Sequence, residues 1–157
     1  LQILNRKLKV KKKIKDYFIK KYFEPDIQIN LAKKLLNFAN SSIDISDGVI
    51  ADLEKLINNQ NLSYTLNEND MPISKNLIEL IKYKKLKKAN LISNGDDYQI
   101  LFTARPDKTR IILNTSKKLG IKITKIGKIN SGKKKSVLID QKGKQILINN
   151  KGHTHQF

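Results

Sequence analysis

The chain has 157 residues, 39% hydrophobic and 6% aromatic, with 32 Lys and Arg against 14 Asp and Glu for a net charge of +18, and neither Cys nor Trp. That length holds one ordinary domain or a large piece of a two-domain protein, and the lack of cysteine excludes disulfide frameworks, thiol nucleophiles and cysteine-ligated metal sites. The two histidines, His153 and His155, both stand in the last five residues, which disfavours His-based metal sites and Ser-His-Asp catalysis, and no apolar run approaches the roughly 20 residues that cross a bilayer; the reading is a cytoplasmic protein without a membrane partner.

In chain order, Ile3, Leu8, Val10, Ile14, Phe18 and Tyr22 recur at helical spacing among lysines and predict a helix over 3–23. Glu24-Pro25 ends it, because the residue before proline is pushed out of the α region. The chain opens on Leu1 inside this helical pattern, so it reads as a piece of something longer. Asn30 is the expected N-cap of a second helix whose apolar face is Leu31, Leu35, Leu36 and Phe38. Residues 42–46 read as a strand, followed by a helix burying Val49, Ile50, Leu53, Leu56 and Ile57.

A strand over 62–66, a break at Met71-Pro72 and a helix over 74–83 capped by Ser74 come next. Asn94-Gly95 marks a turn before a strand over 98–103. Pro106 opens a helix that Gly120 closes, proline suiting the first turn and glycine the position past the last. Strands over 121–129, 136–140 and 144–148 complete the chain. Helices and strands mix without a strict βαβ repeat, so the expected fold is α+β (an α/β sandwich), helices on one face of a mixed, mostly antiparallel sheet.

Charge is distributed unevenly. Residues 1–21 carry nine basic and one acidic side chain and residues 108–157 carry thirteen and one, whereas residues 40–107 carry eight and ten. Lys, Asn and Ile number 29, 16 and 23, while Arg occurs three times. Proteins that read bases or clamp phosphates lean on the bidentate Arg fork, so the excess reads as compositional drift toward Lys, and no specific nucleic-acid partner is expected. A basic nucleic-acid-binding module would also need aromatic side chains among the lysines, and residues 121–135 have none. The acidic middle block is where chemistry is to be sought.

Two constellations stand out there. In Ser42-Ile43-Asp44-Ile45-Ser46-Asp47-Gly48, strand alternation turns Ile43 and Ile45 to the core and Asp44 and Ser46 to the opposite face, with Asp47 at the strand-to-helix turn. Carboxylates and a hydroxyl beside a helix N-terminus suit a hard cation such as magnesium, and free backbone N–H groups of the turn would donate to phosphate oxygens. An ordinary N-cap by Ser46 or Asp47, worth about 1 kcal/mol, with Asp44 merely solvated, accounts for the pattern equally well. In the second, Asn94-Gly95-Asp96-Asp97-Tyr98, two adjacent carboxylates stand at the mouth of a strand. One Asp satisfies a turn; the second adds a repulsion that a cation would relieve.

The motifs together resemble one family. Asp44-Ile45-Ser46-Asp47-Gly48 with Ala51-Asp52-Leu53, Gly95-Asp96-Asp97-Tyr98 with Leu101-Phe102-Thr103, Ile126-Gly127-Lys128-Ile129, and Gly152 with His155 are similar in order and spacing to the carboxyl-terminal half of thiamine-monophosphate kinase. Tyr22-Phe23-Glu24-Pro25, and Leu1-Gln2 with Asn5-Arg6, resemble its preceding linker helix. The resemblance implies residues 1–25 as linker helix and 26–157 as a carboxyl-terminal domain of the kind shared with aminoimidazole-ribonucleotide synthetase, selenophosphate synthetase and the hydrogenase maturation protein E type.

It further implies transfer of the ATP γ-phosphoryl group to thiamine monophosphate with magnesium, chemistry governed by positioning and charge neutralisation. By motif position Asp44 and Asp47 would be magnesium ligands, Ser46 an ATP contact and Asp96, standing where the family has Glu, a thiamine monophosphate contact one methylene shorter. Asp97 reads as structural, and no catalytic residue is assigned. The tail Gly152-His153-Thr154-His155-Gln156-Phe157 departs from the family's pattern, which puts aromatic packing on the thiamine in doubt. The amino-terminal domain, which in the family carries most of the ATP site, further aspartates and the dimer contacts, is not among these residues and could be a separately encoded half. Other outcomes are a degenerate, non-catalytic remnant or another ATP-dependent member of the superfamily.

Overall fold

The computed structural model describes residues 3, 8–58, 60–95, 97–132 and 134–147. The first helix, α1 (Lys12–Phe23), stops at Glu24 before Pro25 as expected, but starts later than the apolar spacing predicts. Ile14 is its fully buried side chain; Leu8 and Val10 precede the helix without comparable burial, and a helix turn without packing support is marginal. The likenesses read at Leu1-Gln2 and Asn5-Arg6 lie outside the described residues.

In α2 (Ile29–Leu35) the cap position belongs to Gln28, which makes no side-chain cap bond, and Asn30 lies inside the helix. Leu31 and Leu35, one turn apart, are buried with Phe38, whereas Leu36, expected on the same face, is 94% exposed. A helical wheel allows only part of an apolar run to face inward. These buried side chains join Ile100, Phe102, Ile112, Leu119, Ile121 and Ile123 in a small cluster between α2 and α6 (Thr109–Leu119). Gly120 closes α6 in the left-handed conformation, as its position predicts.

Strand β1 (Ala39–Asp44) pairs antiparallel with β3 (Ile100–Ala104), Ser42 opposite Phe102 and Asp44 opposite Ile100. The Ser41 and Thr103 hydroxyls bond at 2.7 Å across this pair. The other strands form a separate mixed sheet in the order β4 (Gly127–Ser131), β2 (Leu62–Asn67), β5 (Val137–Ile139), β6 (Gln145–Ile146). Here β2 runs antiparallel to β4 and parallel to β5, and β6 is antiparallel to β5. The α+β expectation holds, with the strands of the described residues divided between two sheets. The long strand expected over 121–129 pairs only from Gly127; Ile121 and Ile123 pack into the α2–α6 cluster instead, a tertiary contact that alternation alone does not reveal.

The main core joins α3 (Val49–Leu56) to side chains of both sheets, built on Ile45, Val49, Ile50, Leu53, Tyr64, Leu66, Leu101 and Leu138. Ser74 caps α4 (Lys75–Lys84), its hydroxyl accepting from the Leu77 N–H at 3.1 Å. A four-residue helix, α5 (Lys88–Leu91), follows, too short for a periodic signal in the sequence.

Tyr64 is buried in this core, and its hydroxyl donates to Glu54 Oε1 at 3.2 Å. Burial pushes the phenol pKa up, and the Glu54 charge and the hydrogen bond to it add to the shift. The unfolded phenol ionises near pH 10 while the folded one stays protonated, so its contribution to stability is present below about pH 10 and lost above it. Lys55 acts in the same sense, its ammonium pKa raised by hydrogen bonds to Asp47 and Asp52, while burial lowers that of Lys88. Because these overlap, the difference between variants is the informative quantity. Urea unfolding from about pH 9 to 12 is expected to show a steeper alkaline loss of stability in the wild type than in Tyr64→Phe.

Candidate functional site

The first motif begins where β1 ends. Asp44 is exposed, and its carboxylate makes no hydrogen bond or ion pair among the described residues. Ile45 turns inward and continues the ladder one step further, its N–H donating to Gln99 O and its carbonyl accepting from Tyr98 N, both at 2.9 Å. The chain then reverses through Ser46, Asp47 and Gly48 into α3.

Asp52, one turn into α3, is fully buried, and its carboxylate folds back under this reversal. Oδ2 accepts from the backbone N–H groups of Ser46 at 2.9 Å, Asp47 at 2.9 Å and Gly48 at 3.1 Å. Oδ1 accepts from Lys55 Nζ at 2.8 Å. Charge-assisted bonds of this kind are about twice as strong as neutral ones, and the N-terminal end of a helix favours the negative charge.

This corrects both readings of the turn. Its N–H groups, expected to receive phosphate oxygens, already donate to Asp52, and the Val49 N–H donates to Ile92 O at 3.1 Å. Neither Ser46 nor Asp47 is an ordinary N-cap: the cap position is Gly48, with no side-chain cap bond. The side chains of Ser46 and Asp47 are thereby released from capping, while Asp47 pairs with the Lys55 ammonium. Sequence reasoning gave Asp52 no role, although a carboxylate beside Val49, Ile50 and Leu53 on the buried side of a helix is itself a signal, since Asp is seldom buried unpaired.

The second motif meets the first backbone to backbone. A Cβ on Gly95 would fall 1.8 Å from Ser46 O and 2.9 Å from Asp47 Cα, and one on Gly48, whose φ is +115°, would fall 2.6 Å from Ser93 O. Glycine is required at both places because the two loops touch along their main chains. Ser46, Asp47, Asn94, Gly95 and Asp97 all line one open cleft, of whose lining Asp44 is not a part. Asp97 and Tyr98 are exposed. Asp96 lies outside the described residues, as do His153, His155 and the rest of the tail from 148 to 157. Among the described residues no three His, Cys, Asp or Glu side chains converge as a metal cluster, and no helix is long and apolar enough to cross a membrane.

No protein-family model matches the chain. It is 36% identical over 156 residues to the thiamine-monophosphate kinase of Buchnera aphidicola subsp. Schizaphis graminum, an alignment covering 99% of this chain and 48% of the relative. The chain is homologous to the thiamine-monophosphate kinases. It spans about half the length of the curated kinases it matches, 47% of that from Escherichia coli K12, at 30% identity. The crystal structure of thiamine-monophosphate kinase from Stenotrophomonas maltophilia K279a superposes with a TM-score of 0.72 at 25% identity, over 83% of this chain and 41% of that one. AaThiL complexed with AMPPCP and TMP gives a TM-score of 0.73 at 24% identity, over 96% and 45%. The α+β architecture is thus that of part of a thiamine-monophosphate kinase.

The clamp makes a quantitative demand. Asp52→Ala leaves three backbone donors without their acceptor, at about 1 kcal/mol or more each, so the variant is expected to lose at least about 3 kcal/mol, a large share of the roughly 5–15 kcal/mol that holds a domain. Asp52→Asn keeps the volume and forfeits the charge, and should fall between. The shift in the urea midpoint at constant slope measures both.

Proposed function

We propose that the chain is the carboxyl-terminal half of a thiamine-monophosphate kinase, working with an amino-terminal half to move the γ-phosphoryl group of ATP onto the phosphate of thiamine monophosphate, giving thiamine pyrophosphate and ADP. The observation that carries this reading is the arrangement of the Asp44–Gly48 turn, clamped by Asp52 and seated on the Gly95 loop, in a chain alignable along 99% of its length with such a kinase. Residues 1–25 are the linker from the amino-terminal domain and 26–157 the carboxyl-terminal domain. The setting is cytoplasmic, with neither a membrane nor a specific nucleic acid as partner.

In this reading Asp44 and Asp47 hold magnesium, Ser46 contacts ATP and Asp96 contacts thiamine monophosphate. The donor set suits a hard cation: Asp44 presents an exposed carboxylate, and Asp47 already carries a cation, the Lys55 ammonium. Bound magnesium would neutralise charge on the phosphate oxygens. The chain's own contribution is placement. Asp52 fixes the main chain of residues 46–48, so the Ser46 hydroxyl and Asp47 carboxylate need not be ordered at the moment of reaction. No general base is assigned, because phosphoryl transfer depends chiefly on positioning and electrostatics.

The pure 157-residue chain, supplied with ATP, magnesium and thiamine monophosphate, is expected to form no thiamine pyrophosphate at a useful rate. Mixing it with the amino-terminal half of the Buchnera relative, produced separately, should restore formation. Robust turnover by the chain alone, followed by chromatography of the products, would overturn the division of labour proposed here.

A further inference from the structure

One contact is left unexplained by structure alone. Lys55 Nζ bridges two carboxylates of different standing: Asp52, which is fully buried, and Asp47, whose side chain retains 17% of its exposure at the cleft wall. Lys55 is itself half-exposed, at 50%. Its bond to Asp52 is built into the fold, since the two stand three residues apart on α3 and the Asp52 carboxylate is immobilised by three backbone donors. Its bond to Asp47 spans the reversal between strand and helix, eight residues in sequence.

The geometry points to Lys55 as an internal counter-cation that guards Asp47 and that a divalent cation displaces. The inference rests on the reading of Asp47 as a magnesium ligand and adds a residue that sets the affinity. Without metal, the ammonium pairs with the Asp47 carboxylate. With metal, Asp47 exchanges the ammonium for the doubly charged ion, and Lys55 retains its partner in Asp52. No proton is transferred and no bond to carbon changes; one ion pair is exchanged for another. The buried Asp52 is what makes the exchange feasible, because the released ammonium keeps an anionic partner instead of being driven from the site. Attraction between unit charges at contact is worth several-fold in binding even where solvent partly screens it, so the ammonium taxes metal affinity by a corresponding factor.

Manganese(II), used alone as the probe and followed by electron paramagnetic resonance on the 157-residue chain, tests this. Lys55→Met is expected to bind manganese at least about fivefold more tightly than the wild type, and Lys55→Arg, which keeps the charge, should stay near the wild-type affinity. Asp47→Asn should weaken binding and, combined with Lys55→Met, remove the gain. If Asp47→Asn weakens binding but Lys55→Met does not tighten it, the guarding role is wrong while the metal reading stands; if Asp47→Asn changes nothing, both are wrong. A second readout needs no change at Lys55: the Lys55 Cε signal in the NMR spectrum should shift on adding magnesium to the wild type and stay fixed in Asp47→Asn. A merely structural lysine would lower the melting temperature when replaced and leave manganese affinity unchanged or weaker, an outcome that also overturns the proposal.

Discussion

A single buried carboxylate organises this domain's site. Three backbone N–H groups at a chain reversal have no partner from regular secondary structure, and burying them unpaired would cost several kcal/mol. Asp52 satisfies all three from inside the following helix. The order of dependence runs outward from there. Once the main chain of residues 46–48 is fixed, Gly95 can lie against Ser46 O and Gly48 against Ser93 O, and the loop before β3 is fixed in turn. The ladder between β1 and β3, prolonged by the bonds between Ile45 and residues 98 and 99, holds both loops from behind. The side chains that face the cleft are thus displayed on a main chain whose own hydrogen bonds are already spent.

How much of this was legible in the sequence differs by residue. Asp44, Ser46 and Asp47 could be located because strand alternation and the strand-to-helix switch are local signals, readable over a few residues. Asp52 could not be given its role, because the donors it meets are defined by how sharply the chain turns at Gly48, which is a property of three dimensions. Gly95 was legible as a turn residue for the wrong reason: Asn-Gly is favoured by turn conformation, yet the structure needs glycine there for the approach of another main chain. Alternation over 121–129 resembled one strand, but which neighbour each side chain finds was settled by a cluster assembled from α2, β3 and α6. Asn30 met the chemical criteria for a cap and lies two residues too far in, since the start of α2 follows the burial of Leu31 and Leu35.

The strongly basic composition is set off from this centre. Lys55 is engaged with two aspartates, and Lys88 Nζ reaches the Met71 carbonyl at 2.9 Å, so these two lysines of the acidic block have specific partners. Those toward the ends are mainly exposed, as in the last turns of α1 and α6, where positive charge is favoured by the helix dipole. Drift toward lysine on tolerant surfaces and selection at the turn can therefore coexist in one chain without either disturbing the other.

The pairing of β1 with β3 joins residues separated by 62 positions, as the Ser41–Thr103 bond illustrates, and the parallel pairing of β2 with β5 is longer-range still in sequence. Contacts of that kind incur loop-closure entropy before they return any stability, and chains dominated by them fold slowly. The turn at Ser46–Gly48 and the loop at Gly95 lie on opposite sides of the span that must close. A nascent chain therefore acquires its site only once β3 has followed β1, and a fragment ending before Ile100 would carry every aspartate described here and still lack the ladder that holds the two loops.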